Sequence, residues 1–252
     1  MKIYSSALLV GAFAACSSPA PTRPDDPFLP VLIEAHQSLA EGSDAPLEDL
    51  RRSIRARCEN VIEAGKPGYR ARIPTGWSAA QGGLERSGRD FDCAVDGVGF
   101  FVVQKDDGSM GYTRCGRLEL DPQGALTIGG RILVPQVTIP SNVTRVLVDT
   151  TGLFQGLDPT QPESLLQLGR LQLSRFTNAE KLLSDDGVLF SATTAAGDPV
   201  SGTPAEGGFG LLRQGFLEES NVDRIREVCA LASETRQYRL AVEAWRVKQR
   251  MR

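Results

Sequence analysis

Apolar and polar positions change their period twice along the chain. Leu47, Leu50, Ile54 and Val61 fall on one stripe, which predicts a helix over 45–64. Asp44 is the expected N-cap, Pro46 sits in the first turn, and Gly65 with Pro67 ends the helix. Ahead of it, 31–40 predicts at most a short helix, because its apolar residues are few. From Phe91 to about Gly210 the period falls to two. Short runs at 93–95, 99–104, 117–120, 131–134, 143–148 and 168–176 read as strands. Asp96-Gly97, Asp107-Gly108, Gln123-Gly124, Gly129-Gly130 and Asp186-Gly187 separate them, and such pairs suit tight hairpins. After Val222 a helical period returns. Val228, Leu231, Thr235, Tyr238, Val242 and Trp245 alternate steps of three and four, the seam of a helix packed along a partner. The predicted fold class is mainly β with terminal α-helices, an α+β chain. Its N- and C-terminal helices pair as a coiled-coil-like stalk around an all-β central domain of short strands.

Composition narrows the function. With 41% hydrophobic residues over 252, the chain has the length and content for a real core. A net charge of −3 with interspersed signs offers no field for nucleic acid. One histidine, His36, leaves little room for histidine-based proton transfer or a histidine-rich metal site. The Asp-Gly pairs are explained by turn chemistry rather than by metal binding. Phe100-Phe101 reads as the core and edge of one strand. Nothing forms a nucleophile elbow, a phosphate loop or a metal-ligand spacing, so no catalytic, cofactor or metal residue is assigned.

The N-terminus carries its own signal. Lys2 precedes an apolar run over 3–15, too short for a permanent span but of signal-peptide length. Phe13-Ala14-Ala15-Cys16 looks like a lipobox, with residues 1–15 removed and Cys16 lipidated, and Ser17 resembles sorting to the outer membrane. Proline, serine and aspartate over 17–30 read as a tether. The chain then divides into a lipidated and tethered segment with a possible short helix (16–44), an N-terminal helix and turn (45–70), a linker (71–90), a β domain (91–211) and a C-terminal helix (212–252).

Three motifs carry a resemblance. The first is Asn60-Val61-Ile62-Glu63-Ala64-Gly65-Lys66-Pro67-Gly68-Tyr69-Arg70. The second is Gln81-Gly82-Gly83-Leu84, then Phe91-Asp92-Cys93-Ala94-Val95-Asp96-Gly97-Val98-Gly99-Phe100-Phe101, continued by Tyr112-Thr113-Arg114, Gly116 and Leu120-Asp121. The third is the junction Leu212–Val222, with Gln214, Gly215, Ser220 and Asn221, followed by Arg236 and Tyr238. In this order they resemble the flagellar rod and hook protein family over about 47–250, nearest the distal rod subunit. The resemblance implies a non-enzymatic structural subunit of the flagellar basal body, serving motility and associating with itself and with other rod and hook subunits. No nucleic acid and no small-molecule substrate are implied. Two departures stand out: family members lack a cleaved signal, and the segment between Tyr69 and Phe91 is shorter here. The alternative is an outer-membrane lipoprotein of the periplasmic side, using the rod-type fold for envelope binding or architecture outside the flagellum. Either way Cys16 implies a lipid anchor.

The helix stripes each need a partner, either only each other in an intramolecular hairpin or also neighbouring subunits, and Tyr238 and Trp245 are the large anchors to test. Cys58, Cys93, Cys115 and Cys229 would meet an oxidising compartment. A hairpin tip at 106–108 places Cys93 roughly 20 Å from Cys115 along the strand, and a prior turn at 96–97 places them roughly 9.6 Å apart. Both exceed the roughly 7 Å reach of a disulfide. Cys58 and Cys229 flank the stripes of the paired helices, so a disulfide between them is a hypothesis to test against the alternative of buried free thiols.

Overall fold

The computed structural model describes residues 26–42, 45–73, 76–160 and 164–251. The lipobox Cys16 and the expected N-cap Asp44 lie outside them. The described chain is mainly β with three helices, and it separates into two compact units. The first unit holds the described parts of Met1–Ala64, Arg72–Pro74 and Val222–Arg252; the second holds Gly65–Ala71 and Thr75–Asn221.

The first unit is helical. Helix α1 (Leu29–Glu41) has Pro30 in its first turn and ends at Gly42. It is a full 13-residue helix where the sequence predicts at most a short one, and it buries Leu32, Ala35 and Ser38. Two of those three are small or polar, so the stripe is weak in sequence although the face is covered. Helix α2 (Glu48–Glu63) begins at Glu48 rather than at 45, with Leu47 at the N-cap and no side-chain cap. Glu48 and Asp49 in its first turn suit the positive end of the helix dipole. Helix α3 (Arg224–Arg250) is capped by Asp223, whose side chain accepts from the Arg226 amide at 3.0 Å. Its predicted seam holds. Leu231, Thr235, Tyr238 and Val242 are buried, and Val228 and Trp245 pack partly buried against the same cluster. That cluster also takes Leu32 and Ala35 from α1 and Ile54, Cys58 and Val61 from α2, so three helices share it rather than two.

The second unit is all-β. Its largest sheet has seven strands in the order Leu183–Ser184, Leu189–Ser191, Met110–Thr113, Phe101–Gln104, Arg131–Val134, Leu126–Ile128 and Leu118–Leu120. A three-stranded meander follows, Arg145–Val148, Leu153–Leu157 and Leu165–Arg170, with a register shift between Phe154 and Gln155. The predicted single run at 168–176 is two strands, because Leu165–Arg170 pairs with Leu153–Leu157 whereas Leu173–Arg175 pairs with Val200–Gly202. Phe101, Leu118, Leu126, Leu133, Phe154 and Leu173 build the core. Turn chemistry acts as expected at Asp107-Gly108: Gly108 has φ 81, and the Asp107 carboxylate accepts from the Ser109 amide at 2.9 Å.

The segments predicted as linker and closing helix contribute strands. Leu84–Arg86 lies in the expected linker, and Phe216–Glu218 lies where helix is expected; the two pair antiparallel. Leu211–Gln214 pairs with Cys93–Asp96, with Gln214 opposite Cys93. The turn-rich junction thus closes the β unit before α3 begins.

Candidate functional site

In the β unit, the motif residues converge on one buried arginine. Arg114 is 1% exposed although it lies 104 positions from its acidic partner. Its Nε donates to Glu218 Oε2 at 2.6 Å, its Nη2 donates to the Val95 carbonyl at 2.8 Å, and its Nη1 donates to the carbonyls of Gly97 and Gly99. Gly97 (φ 114) and Gly99 (φ 137) occupy backbone regions that side-chain-bearing residues rarely adopt, which turns both carbonyls toward the guanidinium. The Asp-Gly-Val-Gly run is therefore a cradle for a buried cation as well as a turn.

Arg70 joins the same cluster. It is 5% exposed, lies 3.4 Å from Glu218 Oε1, and donates to the Ala80 carbonyl. Glu218 also accepts from the Gly82 amide at 3.0 Å. Burial pushes the Arg70 guanidinium down to about 10, against the pull of Glu218 and with a push from Arg114. Arg114 is shifted down too, first by burial, with Glu218 opposing. Two guanidinia thus share one carboxylate.

The other motif residues hold segments around this cluster. The Gly68 amide donates to the Glu218 carbonyl at 2.8 Å, and Gly68 (φ 70) packs so close to the Cys115 backbone that a Cβ would clash. Tyr69 is buried and meets Trp77 edge-on at 6.4 Å. Asn221 accepts from the Ala71 amide at 2.6 Å and donates to the Ala80 carbonyl at 2.6 Å, stitching the junction to the 71–80 segment. Gln214 bridges three backbones: it accepts from the Val148 amide and donates to the carbonyls of Val146 and Asp90. Gly215 (φ 75) donates to the Asp92 carbonyl at 2.6 Å. Phe101 is fully buried, while Phe100 is half-buried against Phe176 and Phe190, so the two do split between core and edge. Ser220 is half-buried.

In the helical unit, Asn60 is buried and clamps Arg72, accepting from its amide at 2.7 Å and donating to its carbonyl at 2.9 Å. Tyr238 is fully buried; its hydroxyl donates to the Gly42 carbonyl at 2.8 Å and accepts from Arg51 Nε at 2.9 Å. It is an internal anchor, not an exposed one. Trp245 is only half-buried and Arg236 is exposed. Arg57 forks across the helices to Glu227 at 3.0 Å and Glu234 at 2.8 Å.

The cysteines bear on both sequence readings. Cys58 is buried and Cys229 is exposed, and both are free thiols rather than bridged. Cys93 donates its amide to the Gly116 carbonyl at 2.9 Å, so its backbone runs directly beside that of Cys115 rather than two strands away. Cys93 belongs to a strand paired with Leu211–Gln214, not to the hairpin of Phe101–Gln104 and Met110–Thr113. Cys93 and Cys115 are free as well. Among the described residues, no group of three or more His, Cys, Asp or Glu is arranged to hold a metal, and no helix is long and apolar enough to cross a membrane.

Neither Arg70, Arg114 nor Glu218 stands out in sequence as a site residue. The available signal was their position inside the motifs, Arg70 after Gly68-Tyr69 and Arg114 after Tyr112-Thr113.

Residues 94–156 match the flagellar hook protein FlgE/F/G D1 domain. The chain is 37% identical over 161 residues to the flagellar basal-body rod protein FlgG of Buchnera aphidicola subsp. Acyrthosiphon pisum (strain APS), covering 64% of this chain and 62% of that protein. It is 33% identical over 161 residues to FlgG of Agrobacterium fabrum, covering 64% and 61%. It is 27% identical over 213 residues to the rod protein FlgF of Escherichia coli (strain K12), covering 73% and 83%. The match thus spans less than two thirds of the length of these two FlgG proteins.

Proposed function

We propose that this chain is a structural subunit of the bacterial flagellar basal body, of the distal-rod type, contributing to flagellum-dependent motility. The observation that carries the reading is the joint one: similarity to rod proteins, and motif residues that meet around Arg114 in one buried scaffold. The helices serve as a coiled-coil-like stalk that associates with further copies and with other rod and hook subunits. No step of this role needs catalysis or a cofactor.

Cys16 adds the compartment. Cleavage after residue 15 leaves a lipidated cysteine on the periplasmic side of the outer membrane, and the expected tether over 17–30 ends before Leu29, where α1 begins. Each buried acyl CH₂ contributes about 0.8 kcal/mol of anchoring, so a lipidated copy sits at a stationary position or outside the rod altogether. That same Cys16 motif favours a second reading, an envelope lipoprotein that uses the fold outside the flagellum. Deleting the gene and isolating hook–basal bodies separates the two. Loss of swimming with the protein present in that preparation is expected; full motility with its absence overturns the flagellar reading. A Cys16→Ser chain is expected to leave the membrane fraction, and unchanged localisation removes the lipid anchor.

A further inference from the structure

The arginine cluster borders a cavity that the scaffold role leaves unused. Its volume is about 290 Å³, and its lining includes Arg70, Arg114, Trp77, Gln81, Val98 and Phe190. All of these belong to the β unit. One side is aromatic: Trp77 and Phe190 meet edge-on at 5.6 Å, with Phe100 at 6.4 Å from Phe190. The other side is cationic.

The charge count there is unbalanced. Arg114 and Arg70 share Glu218. Asp96, whose charge also reaches Arg114, is engaged by Arg213 at 2.6 Å. Arg114 spends its donors on Glu218 and on the carbonyls of Val95, Gly97 and Gly99. Arg70 does not. Among the described residues its partners are the Ala80 carbonyl and Glu218, so a guanidinium with five N–H donors has capacity left where it lines the cavity. A desolvated cation with spare donors is matched best by a carboxylate, which takes two parallel hydrogen bonds and supplies the missing charge. The volume stands at the small end of ligand pockets, which run from about 300 Å³ upward, and admits a body of one ring.

We infer that this pocket binds a small organic carboxylate, with Arg70 taking the carboxyl group and Trp77 and Phe190 enclosing its apolar body. The site is independent of any assembly role.

The test uses the full chain carrying Trp245→Phe, which leaves Trp77 as its remaining tryptophan of two. Phenylacetate is titrated at neutral pH while Trp77 emission is followed, with neutral phenylacetamide as control. A saturable response to the acid is expected, with the amide about tenfold weaker or silent. Arg70→Gln is expected to weaken the acid about tenfold. Because that change also touches the buried cluster, Val98, 57% exposed at the rim, gives an independent readout. Val98→Asp lowers the affinity by like-charge repulsion, and Val98→Lys raises it. A response that never saturates, an equal response to acid and amide, or an affinity indifferent to both Arg70→Gln and Val98→Asp overturns the site.

Discussion

Arg114 and Glu218, 104 residues apart, meet at 2.6 Å with both side chains almost wholly shielded from water. Removing one partner of such a pair leaves a buried charge unpaired, which costs far more than the pair gains. Because Arg70 also leans on Glu218, the carboxylate matters more than either guanidinium.

Glu218→Gln leaves two buried cations without their shared anion and is expected to cost about 3–5 kcal/mol of stability. Arg70→Gln leaves a neutral Arg114–Glu218 pair and costs less. Urea unfolding of the two variants checks the order. An Arg70 variant less stable than the Glu218 variant would show that charge balance does not govern the cluster.

Gly42 and Tyr238 form the corresponding contact in the helical unit. A Cβ at Gly42 would lie 2.5 Å from the Tyr238 hydroxyl and 2.6 Å from Val242, so Gly42→Ala destabilises by overpacking. Tyr238→Phe removes the donor to Gly42 and the acceptor for Arg51, costing about 1–2 kcal/mol. The double variant is expected to cost somewhat less than the sum, because losing the hydroxyl removes one of the methyl's three close contacts while those to Val242 and to the ring at 238 stay. Thermal melts of the four proteins in the cycle decide it.

Asn60 ties α2 to the chain at Arg72 through two hydrogen bonds. Asn60→Ala leaves both backbone groups without that partner and should cost about 2 kcal/mol. The local signature is faster hydrogen exchange at the Arg72 amide, with protection in α3 retained.

The thiols separate by burial. At neutral pH, iodoacetamide is expected to modify Cys229 in the folded chain and to spare Cys58 and Cys93 until denaturant is added. Peptide mass spectrometry without reduction should show no Cys58–Cys229 link. Burial pushes the Cys58 and Cys93 thiols from 9.0 up to about 12. The unfolded chain therefore loses these protons first. This contribution to stability is intact below about pH 9 and falls as pH rises toward 12. Cys58→Ala should flatten that alkaline slope in pH-dependent melts.

Several features were legible because they are local. The seam from Val228 to Trp245 depends on helical period alone, and it is the face that α3 covers. The Asp107-Gly108 turn needs a positive φ that glycine supplies at no steric cost. The motif residues were legible through resemblance, though not what each one does. Helix α1 was underestimated because Ala35 and Ser38 hide its buried face.

What remained for the tertiary structure is set by partners far along the chain. Cys93 lies against Gln214 and Gly116, not in the hairpin next to it, because the closing junction supplies its neighbouring strand. Cys58 lies inside the helical cluster, while Cys229, one step off the seam, faces solvent. An arginine in sequence predicts exposure, since desolvating a guanidinium is costly unless acceptors surround it. Only the fold brings Val95, Gly97, Gly99 and Glu218 together around Arg114, and only that enclosure makes burial of the charge affordable.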